Sequence, residues 1–405
     1  MKMGLYKYTP EPSGRMGLLW TLGTIDEAAI LEFGSMGHMI YGERFLKQTG
    51  IINRSKLFST HIDEKDIALG ITKRIDNAIA KIVEDKKIKA IFLLPSSIPE
   101  TIGVDLDAIC EELQAKYKDL KILSFRRGGF HDKLNHGIEE AIFKLAKNIA
   151  LPIKKTEKKS FNIIGSCCDL SRYRSDVREI KRMLKGAFDI NPICTLSSEA
   201  SISDIEKMGS THINIVIRRE GIKAGEELAD RFNTPYIYCR PYGYNETEKW
   251  LKEISKIIDI PINKEFLQNE LNEGKYGYNY CKQIVSFRPL KGPITLSGHI
   301  DVVEGIKKFA CDDIGMKIKH ISCDSKAYET DKIPYWGEKE IMNNISRDLD
   351  GIIMAQPMLL KRLGRLCNTS ISRDIYSRSF NLYESPFIGF RGAIKLCSMW
   401  IEELF

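Results

Sequence analysis

Short apolar runs alternate with amphipathic stretches along most of this chain. Lys89 to Pro95 is one such run and predicts a buried strand, and Leu120 to Phe125 predicts the next strand. Between them, Asp105 to Tyr117 carries apolar residues at the spacing of an α-helix. A strand, a helix and a strand in this order predict two parallel strands joined by a crossover helix.

The alternation resumes after a polar segment, Lys154 to Lys159, which interrupts both periodicities. The strand-like residues Phe161 to Gly165 follow this linker directly, and the polar, tyrosine-rich region 269–283 marks a second break. We therefore predict an α/β fold with mainly parallel sheets, divided into three units: residues 1–155, 156–284 and 285–405.

Composition limits the classes of partner. The chain of 405 residues has 61 Lys and Arg against 54 Asp and Glu, a net charge of +7. No basic run is interleaved with stacking aromatic residues, so we expect a solvated surface and no nucleic-acid partner. No apolar run reaches the length of about 18 residues that spans a membrane, and no signal-peptide pattern opens the chain, so we expect no membrane partner and a cytoplasmic location. The ten cysteines are irregularly spaced and form no Cys-x-x-Cys pair, which is typical of reduced thiols.

Phe33 to His38 (Phe-Gly-Ser-Met-Gly-His) predicts a glycine-bearing turn that displays one imidazole beside a flexible backbone. This turn resembles the His-Gly-x-x-Gly-Cys turn of the nitrogenase component 1 superfamily, in which the cysteine binds an iron–sulfur cluster. Later segments resemble further signatures of that family in the same order, so that the likeness covers nearly the whole chain. These segments are Ser59 to Gly70, Leu94 to Asp105, Gly128 to Gly137, Asn162 to Gly165, Asp176 to Leu184 and Ser385 to Ala393.

Met1 to Tyr8 and Ser13 to Gly17 are similar to the start of the second catalytic subunit of dark-operative protochlorophyllide reductase. In that subunit an aspartate stands at the position of His38 and ligates a cluster shared with a partner subunit. The resemblance thus implies three Rossmann-like domains around a central pocket. It also implies that His38 is a metal ligand, with Gly37, Ser13 and Ser97 as neighbouring cofactor-binding positions.

Ser13, His38 and Ser97 stand where the family's cluster-binding cysteines would align, and none is a cysteine. Serine is a poor ligand for cluster iron, because soft thiolates suit that iron better than a hydroxyl does. Three interpretations remain open: a partner subunit supplies the cysteines and this chain adds His38, other cysteines of this chain serve a different cofactor, or the cluster has been lost.

The chain has no Gly-x-x-x-x-Gly-Lys-Ser/Thr motif and no good Gly-x-Gly-x-x-Gly after a strand, so we expect that it binds no nucleotide. The resemblance implies that a separate P-loop iron–sulfur reductase protein hydrolyses ATP and supplies the electrons. It also implies that the partner is a homologous second subunit, and a homodimer is the alternative.

His299 and Asp301 follow an apolar strand and are candidate catalytic proton donors, because an imidazole titrates near neutral pH and a carboxylate can orient it. The competing interpretation makes Asp301 a helix N-cap, with Glu304 completing a capping box. Among other features, Arg240 at a strand end is a candidate anion site, and the tyrosines at 276, 278 and 280 suggest a β edge or an interface.

The resemblance implies a subunit of a nitrogenase-like, ATP-dependent reductase that receives low-potential electrons and reduces an unidentified substrate. The alternatives are a scaffold or carrier for the assembly of a metallocluster or metallo-tetrapyrrole, and a metal-free module that binds a small molecule in the same shell.

Overall fold

Three parallel β-sheets form the frame of the chain in a computed structural model. The structure describes residues 12–34, 40, 43–44, 46–47, 54–61, 65, 70–95, 103–126, 132–287, 293–345, 350–364, 369–371 and 384–404. The strands are β1 (Ala28–Gly34), β2 (Lys56–His61), β3 (Ala90–Pro95), β4 (Lys121–Ser124), β5 (Ser160–Ile164), β6 (Asn191–Leu196), β7 (Ile213–Val216), β8 (Tyr236–Tyr238), β9 (Ile294–Gly298), β10 (Ile318–Cys323) and β11 (Ile352–Met354). These elements confirm the predicted α/β class with parallel sheets.

The three sheets repeat one strand order. The first runs β2-β1-β3-β4, the second β6-β5-β7-β8 and the third β10-β9-β11, and every pairing between these strands is parallel. In each sheet the chain leaves its first strand toward one side and returns to pair on the other side. Open α/β sheets bind ligands in the crevice at this switch point, between the carboxyl ends of the first strand and of the strand that pairs on its other side.

Amphipathic helices cover the sheets. The helices are α1 (Gly14–Leu22), α2 (Thr72–Ile82), α3 (Leu106–Lys116), α4 (Leu134–Ile149), α5 (Tyr173–Phe188), α6 (Ile202–Glu206), α7 (Ile222–Phe232), α8 (Gly243–Ile258), α9 (Lys264–Phe287), α10 (Ile300–Lys308), α11 (Glu338–Ile345), α12 (Pro357–Arg362) and α13 (Gly389–Leu404). In α2, Ile75, Ile79 and Ile82 form one buried stripe at helical spacing. None of the described helices is both long and apolar enough to cross a membrane.

The hydrophobic cores run across unit limits. One core contains residues of the second and third sheets, from Phe161 to Leu404, and another contains residues of the first and second sheets, from Leu18 to Leu228. A third core, from Ala29 to Ile122, belongs to the outer face of the first sheet alone. The middle part of the chain therefore contributes to both shared cores.

The tyrosine-rich region 269–283 is helical, so the predicted β edge at the tyrosines 276, 278 and 280 is wrong. Glu270, Gly274 and Cys281 belong to the buried stripe of α9, a helical period that the many polar residues obscure in the sequence. The exposed rings of Tyr276 and Tyr280 stack with centroids 6.2 Å apart on the outer face. The boundary predicted between residues 284 and 285 falls within this helix, and the domain limits stay predictions.

Candidate functional site

The carboxyl ends of β1 and β3 lie side by side in the first sheet, where Phe33 pairs with Pro95. Gly37 and His38 follow β1 in the sequence, and Ser97 follows β3. These three predicted cofactor-binding residues lie outside the described residues. The two predicted cluster segments therefore begin at neighbouring positions, the carboxyl ends of β1 and β3.

Ser13 is the predicted cluster position that the structure does describe. It precedes α1 and forms an isolated bridge with Lys133 at the start of α4. A buried ion pair between Arg15 and Glu32 joins the first turn of α1 to β1 near its carboxyl end. Ser13 thus lies on the same side of the first sheet as the ends of β1 and β3.

The described residues do not by themselves fit an iron–sulfur cluster. The adjacent thiols of Cys167 and Cys168 are buried after β5, where the first lies 3.7 Å from the Thr21 hydroxyl and the second lies 3.6 Å from the Trp20 carbonyl oxygen. At the predicted cluster edge, Ser13 offers a hydroxyl in place of a thiolate.

The carboxyl ends of the second and third sheets bring buried charges together. Asp169 follows β5, Arg218 and Glu220 follow β7, and His299 follows β9. Gly165 at the end of β5 has a φ of 96°, and a Cβ there would collide with Cγ of Arg218, so glycine lets the arginine cross this strand end.

Hydrogen bonds link these groups into one network. The Arg218 guanidinium donates to Asp169 at 2.8 and 3.3 Å and to Glu220 at 2.9 and 3.3 Å. His299 Nε2 lies 3.2 Å from both carboxylate oxygens of Glu220. On the other side of the ring, Nδ1 accepts from the Asp301 backbone N–H at 3.3 Å and lies 3.7 Å from the Asp301 carboxylate.

Burial is the largest single influence on the pKa of each shifted group here, but nearby charges decide the outcome for three of them, Arg218, Glu220 and His299. Burial alone would raise the pKa of Glu220, but the Arg218 and His299 cations hold it well below its usual range. Burial would lower the pKa of His299, but the Glu220 carboxylate outweighs it and the pKa is raised. Asp324, half-buried after β10, has a pKa raised by burial to about 6.

Glu220, His299 and Asp301 each have a ligand atom within 4.8 Å of the others, which is a geometry that metal sites also show. The two carboxylates, however, face opposite nitrogens of the imidazole. Arg218 already neutralises Glu220. We therefore interpret this group as a hydrogen-bonded network that can hold a proton.

The network also touches the first unit. Asn135 in the first turn of α4 donates to the Tyr328 hydroxyl at 3.5 Å, and the Tyr328 ring meets the His299 ring edge-on with centroids 6.2 Å apart. The Arg219 guanidinium lies 5.2 Å from the Tyr328 centroid. The start of α4 thus contacts both the strand-end network and the Ser13 segment.

Two predictions near this site are wrong. The N-cap of α10 is His299, whose Nδ1 accepts from the Asp301 backbone N–H, because the helix begins at Ile300 and Asp301 lies inside its first turn. Arg240 is not an open anion site, since its buried guanidinium pairs with Asp176 and donates to the Tyr242 hydroxyl at 3.0 Å. The roles of His299 and Asp301 as proton donors stay predictions.

Sequence reasoning missed Asp169, Arg218 and Glu220. Isolated charged residues after strands are common, and their partners lie far away in the sequence. The usable signal is the strand order, because residues that follow the first and third strands of such a sheet meet at its switch point.

Comparisons with known proteins agree with this fold. The family model for nitrogenase component 1 type oxidoreductases matches residues 13–405. The chain is 25% identical over 327 residues to a light-independent protochlorophyllide reductase subunit of Dinoroseobacter shibae, covering 76% of this chain and 57% of that protein. It is 24% identical over 333 residues to the nitrogenase iron-molybdenum cofactor biosynthesis protein NifE of Clostridium pasteurianum, covering 75% of this chain and 69% of that protein.

The chain therefore spans less than two thirds of the length of the first of these relatives. Among solved structures, nitrogenase Cp1 at pH 6.5 superposes with a TM-score of 0.79 at 14% identity, covering 100% of this chain and 94% of that chain. At this identity the superposition establishes a shared fold.

Proposed function

Because the chain belongs to the nitrogenase component 1 type oxidoreductase family, we propose that it is one subunit of an ATP-dependent reductase. A separate P-loop iron–sulfur protein hydrolyses ATP and delivers low-potential electrons, and this chain binds no nucleotide. A homologous second subunit, or a second copy of this chain, completes the assembly. The substrate is reduced where the three sheets meet.

The observation that carries this proposal is the buried Glu220–His299 pair at the carboxyl ends of strands from two different sheets. Reduction consumes protons as well as electrons, and the raised pKa of His299 favours an imidazole that keeps its proton. In this proposal His299 and Asp301 are the catalytic proton donors, and Glu220 is the positioning residue that holds the imidazole.

The group implied by the family is an iron–sulfur cluster shared with the partner, which would supply the electron relay. We propose His38 as its ligand from this chain, with Ser13, Gly37 and Ser97 beside it and thiolates supplied by the partner. The common sheet edge from which these segments begin supports one shared site.

Iron and acid-labile sulfide in anaerobically purified protein test the cluster. We expect cluster iron when the chain is co-expressed with a homologous subunit, less iron in His38→Ala, and retained iron in His38→Cys because thiolate is the better ligand. His212→Ala is the matched control, since that imidazole lies just before β7, at the amino end of the second sheet, and accepts from the Ser160 backbone N–H at 3.3 Å. Equal iron in all four proteins would exclude His38 as a ligand.

ATP-dependent reoxidation of the reduced P-loop protein tests the reductase without knowledge of the substrate. We expect reoxidation only when the complete complex is present. Its absence from a complex that carries the cluster would contradict a catalytic role.

A scaffold for cofactor assembly is the second candidate, supported by the relative named as a cofactor biosynthesis protein and by the serine at position 13. Iron that transfers from this chain to another protein would favour it. A metal-free preparation that binds a small molecule would instead favour a binding module that has the same three-sheet fold and no metal.

A further inference from the structure

The strand-end network reaches the surface at Tyr238. This residue ends β8, the edge strand of the second sheet, and 37% of its surface is exposed. Its hydroxyl donates to Oδ1 of Asp301. Asp301, His299 and Glu220 are 7%, 5% and 0% exposed, so an exposed phenol is joined directly to a buried acid.

Asp301 lies between the phenol and the imidazole. Its Oδ2 accepts from the Arg219 backbone N–H at 2.7 Å and lies 3.7 Å from Nδ1 of His299. The hydrogen bond that Nδ1 accepts from the Asp301 backbone N–H is long, at 3.3 Å, and it breaks when that nitrogen takes a proton from the carboxyl group.

We propose that Tyr238, Asp301 and His299 form a proton-entry route from solvent to the junction of the sheets. As the Tyr238 hydroxyl gives its proton to the Asp301 carboxylate, it takes one from a hydronium ion in the solvent, which becomes water, so no phenolate forms. A half-turn of the carboxyl group, which breaks the hydrogen bond from the Arg219 backbone N–H to Oδ2, then turns that proton toward Nδ1 of His299. Each transfer moves one proton and no electrons, so the route needs no other reactant.

Glu220 and Arg218 make His299 the end of this route. The Glu220 carboxylate stabilises the imidazolium that forms, and beyond it lies the Arg218 guanidinium, which does not release a proton in proteins. A proton that arrives is therefore stored on His299. The other titratable groups facing this ring are Asp324 and Tyr328 from the third unit, and neither joins Tyr238 to it.

That this proton is consumed in catalysis rests on the proposed reductase function. The route adds to that function how His299, its proton donor, is reprotonated. The route itself is a property of the resting chain. It can therefore be tested without ATP, partner or substrate.

The test is the exchange rate of the His299 ring protons with water, measured by NMR on histidine-labelled full-length protein. His299→Gln assigns the signal among the seven histidines. In Tyr238→Phe we expect exchange slower by about tenfold or more, the rate cost of one lost hydrogen bond in the path. Tyr236→Phe is the matched control, because this hydroxyl on the same strand donates to Glu226 at 3.4 Å and not to the network.

Asp301→Asn, which keeps the shape but cannot carry the proton, is the second variant and is decisive if Tyr238→Phe does not fold. Slower exchange in these variants, with the control unchanged, supports the route. Wild-type exchange in either folded variant overturns it, even in a complex that is an active reductase. If exchange is slower in these variants than in the wild type, but the wild-type complex fails to reoxidise the P-loop protein, the route stands and the proposed reductase function is rejected.

Discussion

At the scale of single residues, Arg218 balances two buried carboxylates. It is 1% exposed and pairs with Asp169 and Glu220, so its removal would leave both anions inside the protein. We expect Arg218→Met to lower the free energy of unfolding by about 3 to 5 kcal/mol, the cost of leaving buried charge without its partner. Urea denaturation followed by tryptophan fluorescence measures this loss.

Lys223→Met is the matched control. Its pair with Glu139 is similar in chemistry, but the lysine side chain is 61% exposed, so we expect a change below about 1 kcal/mol. Equal effects of the two substitutions would show that water already screens the Arg218 network.

Asp324 should make stability depend on pH. Burial raises the pKa of this carboxyl from 3.8 to about 6, so the folded protein binds its proton more tightly than the unfolded chain does. The stability that the protonated Asp324 carboxyl contributes is fully present below the unfolded-state pKa of 3.8, and it is lost as pH rises through the folded-state pKa of about 6. Asp324→Asn should therefore match the wild type near pH 4 and exceed it near pH 8 by about 1 to 3 kcal/mol.

Urea unfolding of both proteins across this pH range gives the difference, and Asp331→Asn at an exposed position is the control. A gain from Asp324→Asn that does not vary with pH would contradict the assignment.

At the scale of elements, α1 and α4 cross with almost no space between their backbones. A Cβ at Gly137 would overlap the Gly14 carbonyl oxygen, and one at Gly17 would overlap the Leu134 carbonyl oxygen. We expect Gly137→Ala to force the helices apart and to destabilise the protein by about 1 to 3 kcal/mol in urea unfolding.

Gly277→Ala in α9 is the control, since nothing lies within 4 Å of its Cβ position. A methyl group there should stabilise the helix by about 0.5 to 1 kcal/mol. A Gly137→Ala protein as stable as the wild type would mean that the crossing can widen freely.

The elements that sequence patterns predicted well are those whose burial is complete or strictly one-sided. β3 and β5 are buried along their whole length, and their continuous apolar runs in the sequence predict them as strands. In α9 the buried stripe is narrow and contains Glu270, whose carboxylate is neutralised by Arg182, so the hydrophobic signal was too weak to predict a helix. The Glu220–His299 contact could not be predicted from the sequence for another reason: it joins residues of two sheets, and their proximity depends on the strand order.

At the scale of the whole molecule, the shared cores couple the sheets. Trp400 in α13 is fully buried, with its ring centroid 5.3 Å from that of Phe309 and its N–H donating to Met354 Sδ at 3.5 Å in the third sheet. Phe309 in turn packs on Gly243 at the start of α8, which belongs to the second sheet's layer. Unfolding of the third sheet should therefore also expose helices of the second.

Trp400→Ala tests this coupling by native-state hydrogen exchange with mass spectrometry. The cavity should cost about 3 to 5 kcal/mol, and amide protection should fall together in β9, β11 and α8. Protection in α2 and α3 should not change, because their core belongs to the first sheet alone. Trp20→Ala removes an equally large buried ring from the core shared by the first and second sheets, and it should spare β9 and β11. Loss of protection confined to the third sheet in Trp400→Ala would show that the sheets open independently in spite of their common core.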